Sequence, residues 1–417
     1  MAMPSWLQPE ELLGAEGLRL LDALGPTEIL VTVCALNQAR SVPQVVEAAT
    51  KGLAGALAPR ASAVLVVDAG VRGDSAEAVR DWAGSHAPVP PVRGIRVAGA
   101  PSRARAILAA AAAARHLAVS AWVLVDAGLL SLSEEGLAQL LRPLLEGEAD
   151  FVSPAFSHAP SEGTLTSNLL APLCRALYGR RLQQVVGACA GLSSRSLGRV
   201  LEVEPWDGDL SGHGLEIRLV VEALTSGDRI VEVHLGRKVL DAGPAPGDLA
   251  AILAHTVGPF FGLMDRYRSA WVATPGSVPV PHVGEGPQLL PETGDAQVER
   301  MVRAFRLGLK DLLPVWEQAL SEETLGQLYP LGVLAPEEFE FPANLWARIA
   351  VDFAVAHHEH LLPRDHLLRA LTPLYLGRVA AFLREVQAAP PARVPTILDT
   401  LGRAFEAERD ALEARWR

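Results

Sequence analysis

The sequence is poor in cysteine, with Cys34, Cys174 and Cys189 the only three among 417 residues. An odd, scattered set excludes a disulfide framework, and no Cys-x-x-Cys pair is present to hold a metal. A reducing compartment suits such a chain, so a cytoplasmic location is expected. A basic excess is missing too: the net charge is -11. That argues against nucleic acid as a general partner, because such binding rests on Lys and Arg neutralising phosphates. The first residues lack a basic segment followed by a long apolar core, so no signal peptide is expected. Arg105, Arg115, His116 and Asp126 interrupt the longest apolar stretch, 104–130. It reads as a helix followed by a buried strand, and no transmembrane segment is expected. Neither GxGxxG nor GxxxxGK[ST] occurs, so the dinucleotide fingerprint and the P-loop are both unsupported.

What is present points to a folded globular chain with room for two domains. Hydrophobic residues make up 49% of it and charged residues 20%. The clearest stretch is 121–130, AWVLVDAGLL. It is apolar throughout and ends in an aspartate, the pattern of a strand buried on both faces. Ligands of open α/β sheets bind beyond the carboxyl ends of the strands, where Asp126 falls. The plainer alternative is an aspartate that caps the next turn.

Apolar, β-branched runs at 28–36, 63–67, 94–97 and 122–125 alternate with helical patterns at 42–57, 75–82 and 103–117. This β-α alternation with short loops predicts an α/β fold with a parallel sheet and right-handed crossovers. A helix at 133–146, a strand at 150–154 and a helix at 166–178 follow. Then come a glycine-punctuated strand–turn pair at 184–193, a helix at 214–225 and a strand at 229–235. Segment 274–290 is dense in Pro and Gly and reads as a linker, after which the period is helical almost throughout. The expected organisation is a helical lead-in at 1–25, an α/β domain at 26–273, the linker, and an all-helical domain at 291–417.

Four loops follow strands at one sheet edge: 37–41, 68–73, 98–103 and 126–128. Two carry aspartates, and the other two carry basic residues. A nucleoside diphosphate needs such a set, with carboxylates accepting from base or ribose and a cation facing the phosphates. Arg103 and Arg105 are the cations at hand.

The order of these motifs resembles glycosyltransferases of the GT-A fold, a Rossmann-like architecture. The resemblance is to the group that includes mannosylglycerate and glucosyl-phosphoglycerate synthases. It runs over residues 29–271, with a weaker match at Asn344-Leu345-Trp346 and Pro373-Leu374-Tyr375. It implies that Leu36-Asn37 and the Asp68 of Val66-Val67-Asp68-Ala69-Gly70 hold the nucleoside. Arg103 stands where the family has a diphosphate-facing lysine, and Asp126-Ala127-Gly128 stands for its DxD. Thr164, Thr166 and Gly187 fall on the acceptor side. The stretches Gly214-Leu215-Glu216-Ile217 and Leu235-Gly236-Arg237-Lys238 resemble a well-marked family signature, with Glu216 and the preceding His213 as the catalytic candidates.

The implied activity is retaining transfer of a hexose from a UDP- or GDP-linked sugar to a small hydroxyl acceptor such as glycerate or phosphoglycerate. The implied partners are the nucleotide-sugar donor and a small polar acceptor, with a homodimer left open. A divalent metal, Mg or Mn, is also implied, yet Asp126 is its one family-matched ligand here. The second acid of DxD is Gly128, the family's metal-binding histidine is Leu240 (with Asp241, one residue beyond, as a candidate helper to Asp126), and the acceptor loop Gly187–Gly191 lacks its acid. These departures support an alternative: a catalytically impaired homologue that binds a nucleotide sugar or a protein.

Other conspicuous residues have plainer readings. His357-His358-Glu359-His360 lacks HExxH spacing and reads as a solvated helix end. His234 reads as structural and Cys189 as a small buried residue. The acidic loop around Trp206 is either solvated or a lid over an acceptor.

Overall fold

The computed structural model describes residues 8–55, 60–204, 212–241, 248–286, 290 and 295–416. The Trp206 loop, with Asp207 and Asp209, lies outside the described residues.

The strands are β1 (Ile29–Ala35), β2 (Ser62–Asp68), β3 (Val92–Arg96), β4 (Ala121–Asp126), β5 (Phe151–Ser157), β6 (Arg180–Arg181), β7 (Cys189–Ser193), β8 (Ile230–Arg237), β9 (Val278–Pro279) and β10 (His282–Val283). Eight of them form one sheet in the order β10-β8-β5-β7-β4-β1-β2-β3. All neighbours run parallel except β7, which is antiparallel to both β4 and β5. The α/β class with a mostly parallel sheet is thus as expected; β7 is the exception. β1 is buried along its whole length, the state of a strand covered by helices on both faces. The buried Trp122 indole donates to the Thr32 hydroxyl at 2.8 Å, satisfying the polar groups of two adjacent central strands.

The first helices are α1 (Pro9–Asp22), α2 (Val42–Ala54), α3 (Asp74–His86), α4 (Arg103–His116) and α5 (Glu134–Leu145). After them come α6 (Ala171–Tyr178), α7 (Ser194–Glu202) and α8 (Gly214–Thr225). The alanine run has a use here: Ala109 to Ala114 of α4 are all buried, so small side chains let this helix lie close on its neighbours. Ser133 caps α5 by accepting from Gly136 N–H at 3.0 Å, and Glu134 and Glu135 occupy its first turn. Helix α7 was not expected; Ser193 caps it by accepting from Ser196 N–H at 3.2 Å.

The chain divides into two compact units, along other lines than a boundary at the Pro/Gly-rich segment. One unit comprises Met1–Ser157, Val186–Pro246 and Val280–Pro287. It holds the eight-stranded sheet, and α1 belongs to it. The expected linker also contributes: its residues His282–Val283 pair with β8.

The other unit comprises His158–Val185, Gly247–Pro279 and Gln288–Arg417. It is helical around Trp271, Trp316, Trp346 and Trp416, all fully buried. A helix at Leu249–Arg266, absent from the expectation, belongs to it. The reason is local: Gly258-Pro259 reads as a breaker, yet Pro259 sits inside this helix. Within this unit the Arg175 guanidinium reaches Asp399 at 2.7 Å and Glu406 at 2.9 Å. The histidine cluster departs from a solvated helix end. His357 is buried, and His358 stacks on Trp416 with centroids 4.4 Å apart while its Nδ1 contacts Asp265 at 2.5 Å. The end of this helix is docked against apolar surface, so two of the three histidines are packing residues.

Candidate functional site

The sheet edge at the carboxyl ends of β1, β2 and β4 gathers five charged or polar side chains from distant parts of the chain. Arg103, the first residue of α4, lies at the centre. Its Nε donates to Glu216 Oε2 at 3.0 Å and its Nη2 to Glu216 Oε1 at 2.7 Å. Its Nη1 donates to Asp126 Oδ2. Asp126 ends β4, and Glu216 lies in the first turn of α8, where a carboxylate is favoured. An arginine at the start of a helix opposes the helix dipole. The two carboxylates supply the compensation, and the fork of the guanidinium matches them.

Burial works against charge in this cluster, and the pairing overcomes it. Burial disfavours the Arg103 cation, but Glu216 and Asp126 raise its pKa above the ordinary arginine value. Burial likewise disfavours the Glu216 anion, yet the charge and hydrogen bonds of Arg103, with those of His213, bring its pKa down to about 2. His213 Nδ1 lies 2.5 Å from Glu216 Oε2. The side chains of Asp126 and Glu216 are 11% and 9% exposed, against 29% for Arg103, so the cation is more open than either carboxylate it holds.

Gln38 completes the cluster. Its Oε1 accepts from Leu36 N–H at 3.1 Å and its Nε2 donates to Asp126 Oδ1 at 3.1 Å, joining the loops after β1 and β4. Asp126 Oδ1 also accepts from Gly128 N–H at 2.6 Å. The Asp126 N–H bonds to Ala188 O at 2.7 Å, which puts the Gly187–Ala188 segment beside this turn. Gln38 carried no signal in the sequence, because a loop glutamine has neither charge nor motif spacing. Lys238 was seen only as part of a motif. Its ammonium interacts electrostatically with Asp126, Glu216 and Cys189 and lies 5.5 Å from the centroid of the Phe156 ring. Burial lowers its pKa from the ordinary lysine value, and those groups offset part of the shift.

Several expected residues sit elsewhere or point inward. Asp68 is fully buried. Its Oδ1 accepts from Gly70 N–H at 2.9 Å, and its Oδ2 from Ser75 and Ala76 N–H at 2.9 and 3.0 Å. This carboxylate therefore shapes the turn into α3 and presents nothing to a nucleoside. Leu36 and Asn37 are exposed beside that turn, and Asn37 adopts a positive φ of 65°. Gly70 permits their approach, since a Cβ there would fall 2.6 Å from Asn37 N. Arg105 is turned back on Ala98 O, at 3.0 Å from Nε and 2.6 Å from Nη2, so it is already engaged. Thr164 and Thr166 belong to the helical unit. The Thr164 hydroxyl is 2.6 Å from that of Tyr375, and Thr166 is buried at the start of a π-helical turn, Thr166–Leu170. Neither hydroxyl is held out for a ligand. Cys189 is buried, and burial pushes its thiol pKa up to about 12, as fits an inert packing residue. His234 bonds Ser157 Oγ at 3.0 Å.

The residues do not fit the divalent metal that the motif order implies. Positions 126, 128 and 240 are brought together: Asp241 N–H donates to Gly128 O at 2.7 Å, and Leu129 and Leu240 form an antiparallel bridge. Of these three, Asp126 alone carries a ligand atom, and both of its oxygens are already bonded to Arg103, Gln38 and Gly128. A divalent cation wants several carboxylate, imidazole or phosphate oxygens around it. Among the described residues no three His, Cys, Asp or Glu side chains converge to hold one.

No family model matches the chain, and no curated protein matches it. Among solved structures it is similar to glucosyl-3-phosphoglycerate synthase from Mycobacterium tuberculosis in several complexes. With Mn2+, uridine diphosphate and phosphoglyceric acid, identity is 21% over 63% of this chain and 84% of that one, with a TM-score of 0.44. With Mg2+ and uridine diphosphate, identity is 20% over 60% and 83%, with a TM-score of 0.44. With Mn2+, UDP-glucose and glycerol 3-phosphate, identity is 21% over 60% and 83%, with a TM-score of 0.43.

Proposed function

We propose that the sheet-bearing unit is a nucleotide-sugar site of GT-A type. On this reading the protein transfers a hexose from a UDP- or GDP-linked sugar to a small hydroxyl acceptor such as glycerate or phosphoglycerate, with retention. The observation that carries it is Arg103, held between Asp126 and Glu216 beyond the carboxyl ends of a parallel sheet. In hexosyl transfer the bond from the anomeric carbon to the diphosphate breaks, and the electron pair leaves on a phosphate oxygen. A preorganised guanidinium facing that oxygen stabilises the charge as it develops. Glu216, fixed by two bonds to Arg103 and one to His213, orients the sugar or the acceptor. Asp126 contributes a carboxylate edge for hydroxyls of the transferred sugar. Leu36 and Asn37 flank the nucleoside, while Asp68 acts by shaping their loop. Gly187 is the acceptor-side candidate beside Asp126.

The loss of ligand chemistry at Gly128 and Leu240 favours a second reading, a homologue that binds a nucleotide sugar without transferring it. The test is to incubate the purified chain with UDP-glucose or GDP-mannose and either glycerate or 3-phosphoglycerate, and to look for the glycosylated acceptor by mass spectrometry. Product that disappears in Arg103→Ala supports transfer. Saturable donor binding by calorimetry with no product for any pair supports the binding module. No binding and no product from folded protein removes both readings.

A further inference from the structure

We infer that this site binds its diphosphate without a metal ion, with Arg103 as a built-in cation and Gln38 in the space that a second carboxylate would need. The inference rests on the nucleotide reading above and deepens it. A Cβ at Gly128 would fall 2.7 Å from Gln38 Nε2, 3.0 Å from Asp126 Oδ1 and 3.6 Å from Asp241 Cβ. The Gln38 amide thus fills the space beside Asp126 into which a residue-128 side chain would project, and it does so while bonded to Asp126 at 3.1 Å. The third position, Leu240, is 48% exposed and aliphatic, with no atom to offer a metal. The constellation is intact as backbone, through the Gly128–Asp241 hydrogen bond and the Leu129–Leu240 bridge. Two of its three positions offer no donor, a hydrogen at 128 and an isobutyl group at 240, and the Gln38 amide occupies the space beside Asp126.

The charge at the same place is supplied by the chain itself. Arg103 is more exposed than either carboxylate and donates to both, so its position is set before any ligand arrives. The balance has a consequence. Arg103 and Lys238 carry two positive charges and Asp126 and Glu216 two negative ones, with Asp241 a further acid beside Gly128. A diphosphate therefore competes with Asp126 for the guanidinium. A carboxylate that ligates a metal helps diphosphate binding, whereas one that neutralises the guanidinium facing the diphosphate hinders it. The two arrangements predict opposite effects of removing the Asp126 charge.

The experiment uses the full chain with uridine diphosphate and guanosine diphosphate as probes, titrated calorimetrically in EDTA and again with Mn2+. Binding of the preferred nucleotide is expected to be the same in both buffers. Arg103→Ala should weaken it by about 10- to 100-fold, the size of one charge-assisted hydrogen-bonded contact. Asp126→Asn should tighten it by about 3- to 10-fold, because one competing charge is gone. A requirement for Mn2+, or loss of binding in Asp126→Asn with the fold intact by circular dichroism, overturns the inference and leaves the nucleotide reading standing. Absence of binding to either nucleotide in both buffers removes the nucleotide reading and the inference with it. A second readout needs no nucleotide: the paramagnetic resonance signal of free Mn2+ should be undiminished by wild-type protein. Stoichiometric loss of that signal on adding the protein overturns the inference directly.

Discussion

Arg103 and Glu216 meet through two parallel hydrogen bonds, 3.0 Å and 2.7 Å long, although 113 residues separate them in the chain. This ties the first turn of α4 to the first turn of α8. Removing one partner of a buried pair leaves the other charge unpaired, at a cost of about 3 kcal/mol. Arg103→Ala should therefore lower stability in urea by about that amount at neutral pH. The pH dependence has a definite sign. The Glu216 pKa is about 2 in the fold, below its unfolded value. Its contribution is thus fully present above the unfolded carboxylate range and is lost as pH falls toward 2. The gap between wild type and Arg103→Ala should be widest near pH 7 and should narrow on acidification through that range. A gap independent of pH would mean that Arg103 acts by packing alone.

Gln38 and Gly128 should be energetically coupled. The Cβ introduced by Gly128→Ala meets the Gln38 amide at 2.7 Å, so the glutamine must move and its bond to Asp126 is lost. A cost of about 1 kcal/mol is expected for the single variant, and less when Gln38 is already alanine. A double-mutant cycle by urea denaturation measures this. Strict additivity would separate the two residues.

The sheet was legible in the sequence and the site only partly so, for physical reasons that differ by residue. β1, β2 and β4 announce themselves because a parallel strand buried on both faces must be apolar along its length. β7 shows no such run: its glycine, Gly191, lies against Leu144 and the Leu140 carbonyl, and the strand is antiparallel. Asp126 and Arg103 were legible as motif positions, but their pairing was not, since a motif states order and not which charges face each other. Asp68 shows the converse failure. An aspartate after a strand looks the same whether its carboxylate faces a ligand or, as here, three backbone N–H groups. Gln38 had no pattern to betray it. The two-unit division was hidden because 158–185 and 247–279 join the helical unit from within the apparent α/β run.

The approach of the loops after β1 and β2 should be intolerant of a side chain at Gly70. The substituted Cβ would lie 2.5 Å from Asn37 Oδ1 and 2.6 Å from the Asn37 backbone nitrogen, and backbone cannot yield as a side-chain tip does. Gly70→Ala should cost about 2 kcal/mol, in the range of overpacking changes that force backbone shifts. On the proposed function, in which this loop flanks the nucleoside, it should also weaken binding of the nucleoside monophosphate as much as that of the diphosphate. Thermal melts and calorimetry on the same preparation test both. Wild-type stability would show that the loops relax apart at little cost.

Acid sensitivity should come in part from the helical unit, through His357. This side chain is buried, its Nδ1 has no hydrogen-bond partner, and its ring packs edge-on against Phe261 with centroids 5.6 Å apart. Burial, with the nearby charges of Arg364, His360 and His358, drives its pKa down to about 4. The fold therefore holds this imidazole neutral, while the unfolded chain protonates it near its ordinary value. Between those two values the unfolded state binds more protons, so stability falls as pH is lowered across the window and levels off below it. The loss assigned to this one residue is on the order of 3 kcal/mol. His357→Leu keeps an apolar side chain of similar bulk against Phe261 and removes the titration. Its urea-derived stability should fall less than that of wild type between pH 7 and pH 4. Equal losses in the two proteins would move the acid sensitivity to other groups.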